Sequence, residues 1–267
     1  MTPGRPTSIS PPAQEQRAVL QDILRRAGRT ALRWLYDTNP RQKADGSEIT
    51  EADRAAEEVI VEGLQREFPH SAIVGEEGAH VEGSRGTWHV DPIDGTSAFV
   101  EGLAHWGPTV ALVQDGALRV GAFYQPRMDE LWFAARGAGA WRDETRLEPE
   151  PMASIGRNDS LYLPSRFHRT MPLPWTGKVR ALGCTAAHLA FAASGGAAAA
   201  VVARWAMWDI GCGVLLVSEA HRALLDLTGA PFDPMQTPGA AFVAGDPLAV
   251  RQVVDNLFAR PPTGVQR

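Results

Sequence analysis

Between residues 71 and 137 the chain is a succession of short β-like runs, several of them separated by Gly or Asp-Gly turns. The segments are SAIVG, GTWHVDPID, WGPTVALVQDG, LRVGAFYQP and ELWFAARG. Runs separated by such turns predict antiparallel pairing rather than alternating βαβ units.

Helical patterns precede this region. Ala18, Val19, Ile23, Ala27, Leu32 and Leu35 recur at helical spacing from about Glu15 to Leu35. A polar turn, TNPRQKADGSEI, leads to Thr50, which opens a second helix, TEADRAAEEVIVEGLQREF, stopping near Pro69. The second half reads differently: a strand-like KVRALG, a helix through Ala186–Ala193, an AAAAVV run expected to be a tightly packed strand, and a long helix WDIGCGVLLVSEAHRALL before the turn region DLTGAPFDP. There is no internal repeat and no long linker. The expected architecture is α+β leading into α/β in layered form, with a flexible tail over 1–13, an α+β half over 14–150, an α/β half over 151–260 and a second tail over 261–267.

With 267 residues, 44% of them hydrophobic and 21% charged, the chain can bury a core without disulfide staples. A net charge of −5 argues against a surface that tracks nucleic-acid phosphates. An anionic substrate would need local positive charge, which metal ions can supply. Cys184 and Cys212 cannot form a CxxC metal site or a disulfide framework and are expected to be reduced, buried thiols. The N-terminus lacks the apolar segment of a signal peptide, and no apolar run is long enough to span a membrane. A cytoplasmic protein is the resulting expectation.

The chemistry concentrates in Val90-Asp91-Pro92-Ile93-Asp94-Gly95-Thr96. An apolar strand runs into two aspartates three residues apart, and Pro92 restricts the turn so that both carboxylates can be aimed at one point. The Ile93 carbonyl can add a third oxygen, a donor set that suits Mg2+. Gly95 permits close backbone approach, and the N–H groups at the following helix start suit a phosphate. Taken alone, the segment also fits a plain Asx turn. Further acids stand at Glu76-Glu77, after SAIVG, and at Asp209, after Trp208. Adjacent glutamates at a strand end point to opposite sides, so one of the two is the expected ligand. Asp209 also fits a helix N-cap, and Thr50-x-x-Asp53 fits a capping box.

In this order, KADGSEITEAD (43–53), VGEEG (74–78), WHVDPIDGTSAF (88–99) and WDIGCG (208–213) resemble the inositol monophosphatase family of lithium-sensitive phosphatases, and the resemblance runs from about Gln14 to Asn256. It implies a layered αβαβα sandwich, a homodimer, and two or three Mg2+ ions. Glu76, Asp91, Asp94 and Asp209 would supply metal carboxylates and Ile93 its carbonyl. Gly95 and Thr96 would hold the phosphate, the Thr96 hydroxyl paired with Asp53 would orient or deprotonate a metal-activated water, and Glu77 would stand behind the ligands. The implied activity is hydrolysis of a small phosphate ester, an inositol or sugar phosphate. Two metals could neutralise both the attacking and the leaving oxygen of an in-line displacement.

The match departs from the pattern at the leaving-group side. Inositol-preferring members carry a glutamate seven residues before the Trp-Asp aspartate; this chain has Val202 there, with Arg204 nearby. Gly183, Cys184 and Thr185 occupy a lower-grade substrate segment, His221-Arg222 replace two glycines, and Glu48 replaces a proline. The stretch FVEGLAHWGPTVALVQDG also resembles the histidinol-phosphate phosphatase branch, with His105 and Trp106 as pocket-entrance or core residues. Two readings compete with the inositol- or sugar-phosphate hydrolase: a histidinol-phosphate phosphatase, and a catalytically idle metal- or phosphate-binding relative.

Overall fold

The computed structural model describes residues 10–37, 40–42, 48–167 and 175–258. Helix α1 (Pro11–Leu32) starts on two prolines, which suit a first turn because its N–H groups have no intrahelical acceptor. Residues 11–13 of the expected tail are therefore helical, while 1–9 and 261–267 lie outside the described residues. So does the 43–47 part of the polar turn, between the paired strands β1 (Arg41–Gln42) and β2 (Glu48–Ile49). Helix α2 (Glu51–Glu67) opens at Thr50 through a capping box with Asp53, as the sequence predicts.

An eight-stranded sheet follows. Its strands are β3 (Ala72–Gly75), β4 (His80–Val81), β5 (Thr87–Asp94), β6 (Gly107–Gln114), β7 (Ala117–Gln125), β8 (Glu130–Ala135), β9 (Gly139–Arg142) and β10 (Thr145–Arg146). The spatial order is β10-β9-β8-β7-β6-β5-β3-β4, and β5 to β10 pair antiparallel as expected. One pair departs from the expectation: β3 and β5 are parallel. The two residues of β4 form a hairpin on the outer edge of β3, so the chain must cross back before β5 can pair with the other edge.

The second sheet contains β11 (Ser160–Tyr162), β12 (Lys178–Arg180), β13 (Ala199–Val202), β14 (Ala223–Asp226) and β15 (Phe242–Gly245) in the order β12-β11-β13-β15-β14. The alanine run is a strand, β13, buried along its whole length. Helices α4 (Thr185–Ser194) and α5 (Met207–Glu219) lie between the sheets, and α6 (Pro247–Val253) covers the outer face of the second. Helix α5 is shorter than expected. The chain turns at His221 with φ 56°, and Ala223–Asp226 becomes β14.

The layers are α1/α2, the large sheet, α4/α5, the small sheet and α6, the expected αβαβα sandwich. Strand periodicity assigns the faces. Trp88, Val90, Val110, Leu112 and Phe133 pack toward α1 and α2, while Ala111, Phe123, Trp132 and Ala134 pack toward α4 and α5. Helix α5 is buried from Ile210 to Val217, which is why it carries almost no polar residue there. Its small residues set the spacing: a Cβ on Gly211 would stand 2.5 Å from the Ala111 Cβ, and one on Gly213 would stand 2.4 Å from Leu189 of α4. Among the described residues no helix is long and apolar enough to cross a membrane.

Candidate active site

The site forms where β5 ends. Asp91 pairs with Thr109 of β6 and Asp94 with Gly107, so three steps along β5 oppose two along β6. Pro92 falls in this bulge, where its missing N–H interrupts no ladder bond. In an unbroken strand, residues three apart face opposite sides. The extra residue changes the parity, and both aspartates reach α4 and α5.

Asp91 is buried, and its Oδ1 accepts from the Ile93 N–H at 2.8 Å. The Asx turn and the ligand reading are therefore compatible. Glu76, at the end of β3, and Asp209, in the first turn of α5, join it: the three side chains each offer a carboxylate oxygen within 4.8 Å of the others. Asp209 is not the N-cap that its position suggested. It is the third helical residue and reaches back to accept from the Ala206 N–H at 2.6 Å. The start of α5 favours its negative charge.

Asp94 belongs to the same field but is held differently. Its Oδ1 accepts from the Thr185 N–H at 3.2 Å, and its Oδ2 accepts from the Ala186 N–H and from Cys184 Sγ, the latter at 3.1 Å. Asp94 thus grips the first turn of α4. The Gly183–Cys184–Thr185 segment, expected to line the substrate side, is brought to the acids by these bonds. Gly95 permits the approach: at φ 89° a Cβ would meet Cys184 at 2.9 Å and the Gly183 carbonyl at 3.0 Å. Cys184 is buried as expected, but it also caps α4, its sulfur accepting from the Ala187 N–H at 3.3 Å.

Burial first, then the charges of Glu76, Asp94 and Asp209, raise the Asp91 carboxyl well above the usual carboxylate range. Burial also pushes Asp94 up to about 6, against the opposing hydrogen bonds from Cys184, Ala186 and Thr185. Converging carboxylates that repel one another need a cation or protons, and an all-oxygen donor set fits a hard divalent ion.

The threonine of the helix after β5, α3 (Thr96–Val100), meets α2. Thr96 Oγ1 stands 3.3 Å from Asp53 Oδ1 and 3.3 Å from the Ile93 carbonyl, while Asp53 Oδ2 accepts from the Thr50 N–H at 2.7 Å and hydroxyl at 2.6 Å. One Asp53 oxygen therefore serves the capping box and the other faces Thr96. Glu77 lies in the turn behind Glu76, its N–H donating to Glu57 at 3.0 Å. Glu57 is absent from the sequence-based site; the available signal was its place one helical turn after Asp53 on the same face of α2.

Beside the acids opens a cavity of about 590 Å³, lined by Gly183, Cys184, Thr185, His188, Val202 and Arg204, among others. Val202 is buried in its wall and Arg204 is exposed. His188 Nε2 accepts from the Leu182 N–H at 2.9 Å, and burial holds this imidazole down at about 4, so it is neutral. Neither His105 nor Trp106 lines this cavity among the described residues. Trp106 is core, edge-on to Phe99, and His105 bonds Gln125 at 3.1 Å and packs on Phe191. His89, inside β5, is kept below its ordinary value by burial.

Fold and acidic cluster together define a layered sandwich of phosphatase type. The chain belongs to the inositol monophosphatase family, whose model matches residues 12–254. It is similar to a fructose-1,6-bisphosphatase/inositol-1-monophosphatase of Thermotoga maritima, 32% identical over 214 residues, covering 78% of this chain and 83% of that protein. It is also similar to the Nus factor SuhB of Xylella fastidiosa (33% over 208 residues, 74% and 76% covered). A histidinol-phosphatase of Chlorobaculum parvum is 32% identical over 196 residues, with 70% and 75% covered. A solved Thermotoga maritima IMPase superimposes with a TM-score of 0.81 at 27% identity, covering 90% of this chain and 96% of that one.

Proposed function

We propose that this protein is a Mg2+-dependent phosphomonoesterase acting on a small phosphate ester. The observation that carries the reading is the convergence of Glu76, Asp91 and Asp209 within 4.8 Å, beside Asp94 and the Asp53–Thr96 pair. Two or three bound Mg2+ would supply charge neutralisation of the phosphate and a more acidic water. Glu76, Asp91, Asp94, Asp209 and the Ile93 carbonyl would hold them. Asp53 accepts the Thr96 proton, so the Thr96 oxygen can accept in turn from a water and orient it toward phosphorus. Gly95 and Thr96 present backbone N–H groups to the phosphate oxygens, and Glu77 supports the turn that carries Glu76.

The leaving group would occupy the cavity beyond Gly183–Thr185. Val202 cannot accept hydrogen bonds from ring hydroxyls, so a polyol is held less well than in relatives with a glutamate there. Arg204 at the rim supports a leaving group with an additional negative charge. The likeness to a histidinol-phosphatase keeps an amino-alcohol phosphate among the candidate substrates. The working protein would be a homodimer in the cytoplasm, lithium-sensitive, with no nucleic-acid partner.

The test is phosphate release across inositol phosphates, histidinol phosphate, fructose bisphosphate and nucleotide 3′-phosphates, with and without EDTA. Activity should require Mg2+, fall with lithium and vanish in Asp91→Asn; full turnover in EDTA would sink the reading. The name Nus factor, carried by relatives of comparable identity, favours a second reading in which the protein works by binding a partner. Mg2+ binding without turnover of any ester in the panel would select it.

A further inference from the structure

We propose that Glu57 is a positioning residue for Glu76, an assignment that rests on the Mg2+-dependent reading above. Glu57 is 7% exposed and faces the turn after β3. Its Oε1 accepts from the Glu77 N–H at 3.0 Å and its Oε2 from the Ala79 N–H at 3.1 Å. The turn has its own closure: the Gly75 N–H donates to the Ala79 carbonyl at 2.8 Å, and Gly78 adopts φ 107°. Glu76 sits inside it, and the Glu76 N–H donates to the carbonyl of Val90, the residue before Asp91, at 3.0 Å. The backbone around Glu76 is thus anchored on one side by β5 and on the other by the Glu57 carboxylate.

Gly75 makes room for this anchor, since a Cβ there would stand 2.1 Å from Glu57 Oε1. Helix α2 consequently carries two buried carboxylates one turn apart with separate tasks. Asp53 meets Thr96, and Glu57 holds the turn that presents Glu76 to Asp91 and Asp209. A single rigid helix sets the spacing between the threonine end of the site and its metal end. Groups that orient metal ligands typically tune affinity as well as geometry.

The substitutions differ in a useful way. Glutamine keeps one acceptor but turns an NH2 toward the second N–H, while alanine leaves both N–H groups without this acceptor. The experiment is Mg2+ binding by calorimetry on the full chain, with thermal unfolding in EDTA, for wild type, Glu57→Gln, Glu57→Ala and the exposed neighbour Glu58→Gln. The Mg2+ Kd is expected to rise about 10-fold or more in Glu57→Ala and by a smaller factor in Glu57→Gln. The Mg2+ concentration for half-maximal phosphate release should rise in parallel, kcat at saturating Mg2+ should change far less, and Glu58→Gln should match wild type. If Glu57→Ala does not fold, Glu57→Gln carries the comparison. Lowered unfolding temperature with unchanged Mg2+ affinity in the Glu57 variants overturns the assignment. A wild type that binds no Mg2+ overturns the underlying reading and this proposal together, a result distinct from a binding wild type with indifferent variants.

Discussion

Thr96 Oγ1 lies 3.3 Å from Asp53 Oδ1 across 43 residues of sequence, and equally 3.3 Å from the Ile93 carbonyl. A hydroxyl carries one proton and donates to one acceptor at a time. A carboxylate oxygen is a stronger acceptor than a peptide carbonyl, so the hydroxyl donates to Asp53 and leaves the threonine lone pairs available.

Both partners should therefore matter to turnover in similar measure. Thr96→Ala and Asp53→Asn are each expected to lower kcat by about 10²–10⁴-fold. Their unfolding should differ: Asp53 also closes the capping box, so Asp53→Asn should lose about 1 kcal/mol while Thr96→Ala stays near wild type. Phosphate-release rates and urea unfolding check both halves.

The acidic cluster gives a pH signature. Asp91 and Asp94 have folded-state pKa values raised above the unfolded value, Asp94 to about 6. Without metal, the folded state holds more protons than the unfolded chain between about 4 and 6, so these groups disfavour folding as pH rises through that window. Bound Mg2+ would require the ionised forms and so would reverse the effect. The Mg2+-induced rise in Tm should shrink as pH falls from 8 to 5, with proton release on binding near pH 6. Neutral His188 contributes equally with and without Mg2+ and cancels from the difference. A Tm rise independent of pH would contradict the coupling.

Cys184 acts as a polar residue in a buried place, capping α4 and donating to Asp94. Cys184→Ser preserves both roles and should keep stability and activity near wild type. Cys184→Ala should lose about 1 kcal/mol in denaturant unfolding. Burial raises the thiol well above its ordinary value, so native protein should resist thiol-specific alkylation that proceeds readily in urea.

Arg222 stands where the resemblance leads one to expect glycine, and it has been put to use. Its guanidinium meets Asp246, the N-cap of α6, and donates to the Glu150 carbonyl at 3.2 Å, with the two side chains only 5% and 2% exposed. Arg222→Ala should cost about 1.5–3 kcal/mol, because it removes the charged partner of a buried carboxylate that keeps, among the described residues, only the Met152 and Leu248 N–H donors. Equilibrium unfolding measures this, and a loss under 1 kcal/mol would show that the pair is dispensable.

Val202→Glu tests the leaving-group side. Restoring an acceptor in the cavity wall should raise kcat/KM for inositol monophosphate relative to histidinol phosphate by about 10-fold or more. The ratio, rather than either rate alone, is the readout, since a buried glutamate also lowers stability.

The local features were legible in the chain itself. The β-like runs and turns of the 71–137 region, the Thr50–Asp53 cap, the buried alanine strand and the order of the four acidic segments all follow from neighbours within a few residues, where local pattern and short-range hydrogen bonds decide conformation. Other features depend on segments that meet only after folding. The parallel β3–β5 pair, the early end of α5 at a left-handed His221, Asp94 reaching the first turn of α4 and Glu57 anchoring the Glu76 turn have no such local rule. Packing of the layers decided them. A carboxylate is soluble wherever water reaches it, and only burial beside distant N–H donors or other carboxylates selects its partner.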